Sequence, residues 1–372
     1  MLQTSVPFVF MRGGSSRGPY FKRSDLPEDL DELSKVLVAV VGSGHPFNID
    51  GIGGGTAVTT KVAMLSRSND PWADIDYFFA QVGVEDRHVD YRPSCGNILV
   101  GVGPAALEMG LMEPAGDITE VKIRAVNNGM LVSGHVKTPG GTVQYDGRSS
   151  IDGVPGTAAP IRLQFMRVAG SMTGALLPTG KPQETIEGVS VTCMDVAMPM
   201  VIARAGDLGV TGYETASELD ANRALLRKME AIRVVAGERM GLGDVHTSVA
   251  PKFGLLAPSH EGGTACVRYF MPWNCHPTLA VTGSQCLASC LLAPDTVGEG
   301  LIEGPHDTPA AISLEHPMGK MDVLVDYEET SAGFQIKSAG LLRTARKLAA
   351  GEVYVPGTVW SGAHSKVMPA EM

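Results

Sequence analysis

A lysine and a cysteine are the residues of this sequence with the clearest chemical potential. Lys61 follows a glycine-rich stretch, IDGIGGG at 49–55, and opens an apolar segment, KVAML. Burial in such a segment disfavours the charged ammonium form and lets a lysine act as a base near neutral pH. Most lysines instead keep the charged end in water at a strand edge. The residues alone leave both interpretations open for Lys61.

Cys95 stands in the sequence SCGN, directly before an apolar stretch of helical period at 96–111. The first turn of a helix presents unpaired N–H groups and a positive dipole end, which bind carboxylates and activate thiols. Gly96 and Asn97 would belong to this helix start. A buried cysteine that only fills space is the plain alternative. We therefore expect either a reactive thiol or a packing residue at Cys95.

A loop near the N-terminus, RGGSSRG at 12–18, combines glycines, hydroxyls and arginines. Its backbone N–H groups could wrap an anion, with Ser15, Ser16 and Arg17 as the side chains at hand, although a polar turn after a strand is the simpler interpretation. The loop lacks the Gly-Lys-Ser/Thr ending of a nucleotide-binding P-loop. The stretch IDGIGGG is not a dinucleotide fingerprint, because Thr56 stands where that motif requires a third small residue.

A second candidate region lies late in the chain, in CHPTLAVTGS at 275–284. Its end predicts another helix start that could bind an anion, and a histidine lies close to it in sequence. An arginine in the preceding strand could hold a carboxylate with two hydrogen bonds. A structural histidine and a surface arginine are the alternatives. The candidate residues for substrate binding here are Arg268, His276, Thr282, Gly283 and Ser284.

Composition limits the classes of function. The chain has 372 residues, 44% of them hydrophobic, and a formal net charge of −10. It should form about two domains and is not expected to bind nucleic acid. Without a long apolar run or a signal peptide, we expect no membrane span and a cytoplasmic protein whose six cysteines are thiols. The cysteine and histidine spacings do not match a zinc site, and no G-x-S-x-G motif occurs.

The pattern of elements predicts an α+β protein with many short strands and a few helices. Helices are indicated by DELSKVLVAVVG, GNILVGVGPAALEMGL, ASELDANRALLRKMEAIRVVAGERMG and TGSQCLASCLLA. Each half of the chain begins with a strand and later has a turn followed by an apolar helix. This repeat of order predicts two similar domains across a cleft, residues 1–180 and 181–351. A C-terminal strand at about 352–372 would complete the first domain.

The motifs MRGGSSRGPYF, TTKVAML, VDYRPSCGNILVGVGP, AVTGS, LEHPMG and RTARKLAAGEVYVP resemble the methylaconitate isomerase and oxalomesaconate tautomerase family over nearly the whole chain. That resemblance implies the diaminopimelate epimerase-like fold, with two pseudo-symmetric domains that each curl a β-sheet around a central helix. It also implies an isomerase that needs no flavin, nicotinamide or metal and acts on a small unsaturated di- or tricarboxylate. A homodimer is compatible with it.

By motif, the catalytic lysine and cysteine of that family fall on Lys61 and Cys95. Its anion-binding loops fall on Ser15 and Ser16, on Gly96 and Asn97, and on residues 282–284. The late motifs are most similar to the oxalomesaconate branch of aromatic-acid degradation, which makes 4-oxalomesaconate the expected substrate.

The sequence departs from the family's motifs at two places, and three alternative functions remain open. The family opening MRGGTSKG carries Thr and Lys where this chain has Ser15 and Arg17. Epimerases of the same fold use two facing cysteines, and here Thr282 stands where the second would be expected. An amino-acid or hydroxy-acid epimerase therefore requires another thiol, such as Cys266 or Cys275. A 2-methylaconitate or aconitate isomerase and a non-catalytic carboxylate-binding protein also stay open.

Overall fold

A computed structural model describes residues 3–304, 306–331 and 333–362. The chain forms two compact units. Unit 1 takes in the described residues up to Leu163 and those from Arg343 onward, and unit 2 spans Gln164–Leu342. The boundaries expected at residues 180 and 351 therefore differ in place from these, and residues 363–372 of the expected C-terminal segment lie outside the described residues.

Unit 1 is built on one sheet with helices on it. Its elements are β1 (Gln3–Gly13), β2 (Ser16–Lys22), α1 (Leu30–Val41), β3 (Lys61–Arg67), β4 (Ile75–Val82), β5 (Val89–Asp90), α2 (Gly96–Val100), α3 (Val102–Glu108), β6 (Ile118–Ala125) and β7 (Met130–Lys137). The spatial order of the strands is β1-β2-β3-β4-β6-β7, with β5 on β4. The pairs β2–β3 and β4–β6 are parallel and the other pairs are antiparallel. The next strand, β8 (Pro160–Met166), crosses the boundary between the units.

The two faces of the unit 1 sheet carry different helices, because successive strand side chains point to opposite faces. Val62 and Met64 of β3 pack with Leu33 and Leu37 of α1 in one apolar cluster. The other face contacts α2 and α3, which touch strands β1, β2, β3, β6 and β7. The predicted helix at 96–111 is divided at Gly101, so the sequence was right about helical structure and wrong about its continuity.

Unit 2 repeats this plan. Its elements are β9 (Glu184–Ile186), β10 (Val189–Asp195), β11 (Pro199–Arg204), α4 (Ala216–Ala221), α5 (Arg223–Arg239), β12 (Lys252–Pro258), β13 (Ala265–Phe270), α6 (Val281–Leu292), β14 (Ala310–His316), β15 (Gly319–Thr330) and the first part of β16 (Gly333–Pro356). The spatial order is β16-β15-β14-β13-β12-β11-β10-β9. The long helix predicted from ASELDANRALLRKMEAIRVVAGERMG is two helices, because the Asn222 side chain caps the start of α5.

The apolar side chains of α5 form a cluster with one face of the unit 2 sheet, and α6 contacts strands β10, β11, β12, β14 and β15. Each unit therefore presents an outer helix on one face of its sheet and a central helix on the other. The α+β class and the repeated order of elements predicted from the sequence are confirmed. Among the described residues, no helix is long and apolar enough to cross a membrane.

Candidate active site

The side chain of Lys61 lies on the face of the unit 1 sheet that α2 and α3 cover. Lys61 is the first residue of β3 and pairs directly with Gln81 of β4. Its Nζ donates a hydrogen bond to Gln81 Oε1 at 2.5 Å and lies 5.4 Å from the centre of the Phe79 ring. The Gln81 amide is held in turn, because its Nε2 donates to Ala57 O and Thr60 Oγ1 at 3.2 Å. Lys61 is thus half-buried and held by a neutral acceptor rather than a carboxylate.

The strand β2 approaches Lys61 so closely that only glycine fits beside it. A Cβ on Gly18 would lie 1.8 Å from the carbonyl oxygen of Lys61. This contact fixes the backbone at the start of β3. Gly18 of the motif MRGGSSRGPYF therefore allows β2 to pack closely against the first residue of β3.

Cys95 occupies the N-cap position of α2, as the sequence predicted, and is partly exposed. Two tyrosines of the sheet donate hydrogen bonds to backbone carbonyl groups at the start of this short helix. Tyr77 Oη donates to Cys95 O at 3.4 Å, and Tyr20 Oη donates to Ile98 O at 2.5 Å. Burial, and to a smaller extent the neighbouring Cys95 thiol, raises the pKa of both tyrosines well above its usual range, so both stay protonated donors. Since Tyr77 shares its sheet face with Lys61, Cys95 and Lys61 lie on the same side of unit 1.

The loop after β1 joins the start of α2. Ser15 N–H donates to Asn97 Oδ1 at 3.4 Å, and Asn97 Nδ2 donates to Ser15 Oγ at 3.2 Å. Ser16 is buried, and its Oγ and that of Ser94 have no hydrogen-bond partner among the described residues. Arg17 is exposed, with its guanidinium 5.8 Å from the centre of the Phe10 ring. The structure therefore brings the serine loop and the Cys95 turn together.

In unit 2, the residues at 282–284 form the first turn of α6, which starts after the N-cap residue Ala280. Gly283 packs on Tyr269, since a Cβ there would lie 2.2 Å from the Tyr269 ring. Ser284 is buried, and its hydroxyl donates to Val281 O at 2.8 Å inside the helix. Thr282 is partly exposed. The turn exists as predicted, but the Ser284 hydroxyl is already used.

His276 lies beside this turn, with its ring centre 6.0 Å from that of Tyr269. Its Nδ1 accepts a hydrogen bond from the Thr278 N–H at 3.0 Å, which places the ring proton on Nε2. Burial, together with the charge of Lys252, lowers the pKa of His276. His276 is therefore a neutral donor at neutral pH.

Arg268 is not brought to this turn. It neighbours Tyr269 in β13, so the two side chains point to opposite faces of the sheet. Its Nε donates to Glu214 O at 2.7 Å and its Nη1 to Val267 O at 2.8 Å. Only 5% of the residue is exposed. These bonds attach the segment before α4 to the sheet, which is the structural alternative to a carboxylate clamp.

Three supporting residues were missed by reasoning from the sequence: Gln81, Tyr20 and Tyr77. The period of two in DIDYFFAQVGV places Tyr77 and Gln81 on one face, but only the strand register shows that Lys61 stands opposite Gln81. Among the described residues, no group of three His, Cys, Asp or Glu side chains is arranged to hold a metal ion.

Two curated relatives and one solved structure match this chain over almost its whole length. The chain is 45% identical over 351 residues to a (4E)-oxalomesaconate Δ-isomerase of Novosphingobium sp. (strain KA1), covering 94% of this chain and 98% of the relative. It is 44% identical over 362 residues to a 4-oxalomesaconate tautomerase of Pseudomonas putida, covering 97% and 99%. A crystal structure of a methylitaconate Δ-isomerase superposes with a TM-score of 0.86 at 31% identity, covering 96% of this chain and 97% of that one.

The shared chemistry of these names is isomerisation, and the predicted enzyme class and fold are confirmed. The model of the PrpF protein family matches residues 3–356. The chain is an isomerase and belongs to the PrpF family.

Proposed function

We propose that this chain isomerises a small unsaturated polycarboxylate by moving a proton and a double bond, with Lys61 as the base and 4-oxalomesaconate as the substrate. The proposed reaction uses no cofactor. The observation that carries it is the setting of Lys61, a half-buried side chain whose one hydrogen bond to another side chain among the described residues goes to the neutral oxygen of Gln81.

The neutral acceptor matters for the chemistry. An amine that donates one N–H to an amide oxygen keeps its lone pair for the substrate, whereas a carboxylate partner would favour the charged ammonium. In the proposed reaction the Lys61 amine removes an allylic proton and becomes an ammonium. The electron pair of the broken C–H bond spreads over the double bond and an adjacent carboxylate or keto group. The ammonium then returns the proton at a different atom, so Lys61 ends as it began.

The intermediate formed when the proton is removed is a dienolate, and its additional negative charge needs hydrogen-bond donors. In unit 1 the Cys95 turn, with Gly96 and Asn97, and the loop of Ser15 and Ser16 lie together at one place. We assign them to the binding of a substrate carboxylate and of the charge that forms. Cys95 supplies a hydrogen bond or a proton there. Thr282 and His276 are the corresponding candidates in unit 2.

Substrate choice rests on the relatives. The two oxalomesaconate enzymes match at 45% and 44% identity, and the methylitaconate Δ-isomerase structure at 31%. We therefore favour 4-oxalomesaconate over a methyl-substituted acid. The late motifs LEHPMG and RTARKLAAGEVYVP support the same choice. The 2-methylaconitate and aconitate isomerisations are the closest chemical competitors.

An epimerase that uses two thiols is disfavoured. Burial raises the pKa of Cys275 to about 11, so this thiol stays protonated at neutral pH. Cys266 lies two residues from Arg268 on the same strand and therefore shares the sheet face opposite Tyr269. Burial raises the pKa of Cys266 as well. Neither thiol is suited to remove a proton as a partner of Cys95.

The test is proton exchange in deuterated water. Purified wild-type protein is incubated with 4-oxalomesaconate, 2-methylaconitate and aconitate in turn, and NMR follows which carbon gains deuterium. We expect the fastest exchange with 4-oxalomesaconate, and Lys61→Met should abolish it while the melting temperature is unchanged. Lys35→Met on the exposed side of α1 is the control. Turnover of Lys61→Met within about tenfold of wild type, about 1.4 kcal/mol in barrier, would exclude Lys61 as the base.

A further inference from the structure

Lys252 shares a sheet face with His276. Gly254 pairs with Tyr269 between the antiparallel strands β12 and β13, so these two residues face the same side. Lys252 stands two residues before Gly254 and therefore also points to that side. Beyond β13, His276 N–H donates to Tyr269 O at 2.7 Å, next to an antiparallel bridge between Phe270 and Cys275. This pairing places the His276 side chain on the same face.

This is the face that α6 covers. A Cβ on Gly254 would lie 2.7 Å from Leu287 of α6, and a Cβ on Gly283 would lie 2.2 Å from Tyr269. The first turn of α6 therefore lies over Tyr269, between the strand of Lys252 and the segment of His276. The candidate residue Thr282 belongs to this turn.

The side chains of Lys252 and His276 both have N–H groups that can donate hydrogen bonds to a ligand. Lys252 is half-buried, and its Nζ donates to Met271 O at 3.3 Å, which uses one of three ammonium protons. His276 carries its proton on Nε2, because its Nδ1 accepts from the Thr278 N–H. Lys252 is close enough to lower the pKa of His276, in the same direction as burial.

The positive charge of Lys252 is poorly compensated. Burial is the main cause of its lowered pKa, and the charged neighbour that acts in the same direction is another cation, Arg233. Arg233 itself is paired with Glu230 at 2.7 Å. A half-buried ammonium beside a neutral histidine N–H is the donor set that a carboxylate prefers, since it supplies both charge and directed hydrogen bonds.

We propose that Lys252 and His276 form a carboxylate-binding site of unit 2, with the Lys252 ammonium supplying the charge and His276 Nε2–H a directed hydrogen bond. The ligand class rests on the proposed function, which requires a polycarboxylate. The site itself rests on the shared sheet face and the two donors. Lys252 is thereby added to the residues that set specificity for a polyanionic substrate.

The experiment measures binding without turnover. The probe is propane-1,2,3-tricarboxylate, which has no double bond to move, titrated into the full chain by calorimetry. We expect Lys252→Gln and His276→Gln each to weaken binding at least tenfold, and Lys252→Arg to retain most of it. Lys228→Gln, the same charge change at an exposed position of α5, should leave the affinity within twofold.

Two further readouts keep the test decisive. In wild-type protein the ring-proton NMR signals of His276 should shift on addition of the probe, which requires no variant to fold. Lys61→Met should bind the probe and lose isomerisation, which separates failure of this site from failure of the proposed base. Binding by Lys252→Gln within twofold of wild type would overturn the proposal. So would an absence of probe binding by the wild-type protein at millimolar concentration.

Discussion

The Nζ of Lys61 and the Oε1 of Gln81 face each other across two antiparallel strands, 2.5 Å apart. Gln81 cannot turn its oxygen away without breaking the bonds that its Nε2 donates to Ala57 O and Thr60 Oγ1. The lysine is therefore aimed by an acceptor that is itself fixed and carries no charge.

Gln81→Leu removes this acceptor, and we expect kcat to fall by about tenfold to a hundredfold with little change in KM. The reason is that a misplaced base costs reaction rate, while the carboxylate contacts of the substrate persist. Gln183→Leu in unit 2 is the control, since Gln183 lies outside the proposed site. A rise in KM at constant kcat would show that Gln81 contributes to binding instead of aiming Lys61.

Cys95→Ser should keep part of the activity and Cys95→Ala should lose more. A hydroxyl replaces a thiol as a donor, whereas a methyl group cannot. Melting curves recorded beside the kinetics separate catalysis from packing, because a cysteine that only fills space would cost stability when shortened. An Ala variant with normal kcat and a lowered melting temperature would refute the catalytic role.

Gly283→Ala should destabilise the chain by about 1–3 kcal/mol, the usual cost of forcing additional atoms into a packed site. The added Cβ would stand 2.2 Å from the Tyr269 ring. Urea unfolding measures this, with Gly206→Ala as the matched control, because a Cβ at Gly206 meets nothing within 4 Å. Equal stability of the two variants would contradict the close contact between α6 and Tyr269.

Glu315 makes stability depend on pH. Burial alone would raise its pKa, but hydrogen bonds from the backbone N–H groups of His260, Gly263 and Glu261 and from the Ser259 hydroxyl lower it to about 2. A lowered folded-state pKa gives stability that is present above the unfolded value and is lost as the pH falls toward about 2.

Glu315→Gln should therefore cost about 1–3 kcal/mol at pH 7, the scale of hydrogen bonds to a buried charge. The difference from wild type should shrink as the pH falls from the range of an ordinary glutamate toward about 2. Urea unfolding at a series of pH values checks this, with the exposed Glu238→Gln as the control. A difference that does not change with pH would mean that the pKa of Glu315 is the same in the folded and the unfolded chain, which would contradict the lowered value.

The sequence predicted the α+β class, the repeated order of elements and the position of Cys95 at a helix start, because these depend on local periodicity and on turn residues. It could not predict the breaks at Gly101 and Asn222, since a helical period alone does not say where a cap interrupts it.

Pairings between strands that are distant in sequence also could not be predicted from the sequence. Whether Arg268 faces a ligand or the inside of unit 2 depends on which face of β13 it occupies. That face is set by pairing with β12 and by the covering helix α6, not by neighbouring residues. The same holds for Lys252, which in the sequence is an ordinary lysine at the start of an apolar segment.

The last strand, β16, has a consequence for biosynthesis. Its earlier residues pair with β15 in unit 2, and its later residues pair with β1, from Gln3 with Pro356 to Gly13 with Ala345. On a ribosome, β1 is made first and β2 follows at once, but the later part of β16, which pairs with the other edge of β1, emerges only after all of unit 2. Unit 2 can thus close while the first strand still has an open edge, which is the kind of edge that draws in other chains. Expression of residues 1–163 alone would leave that edge open permanently, so aggregation of such a fragment would reflect a missing strand and not a defective unit.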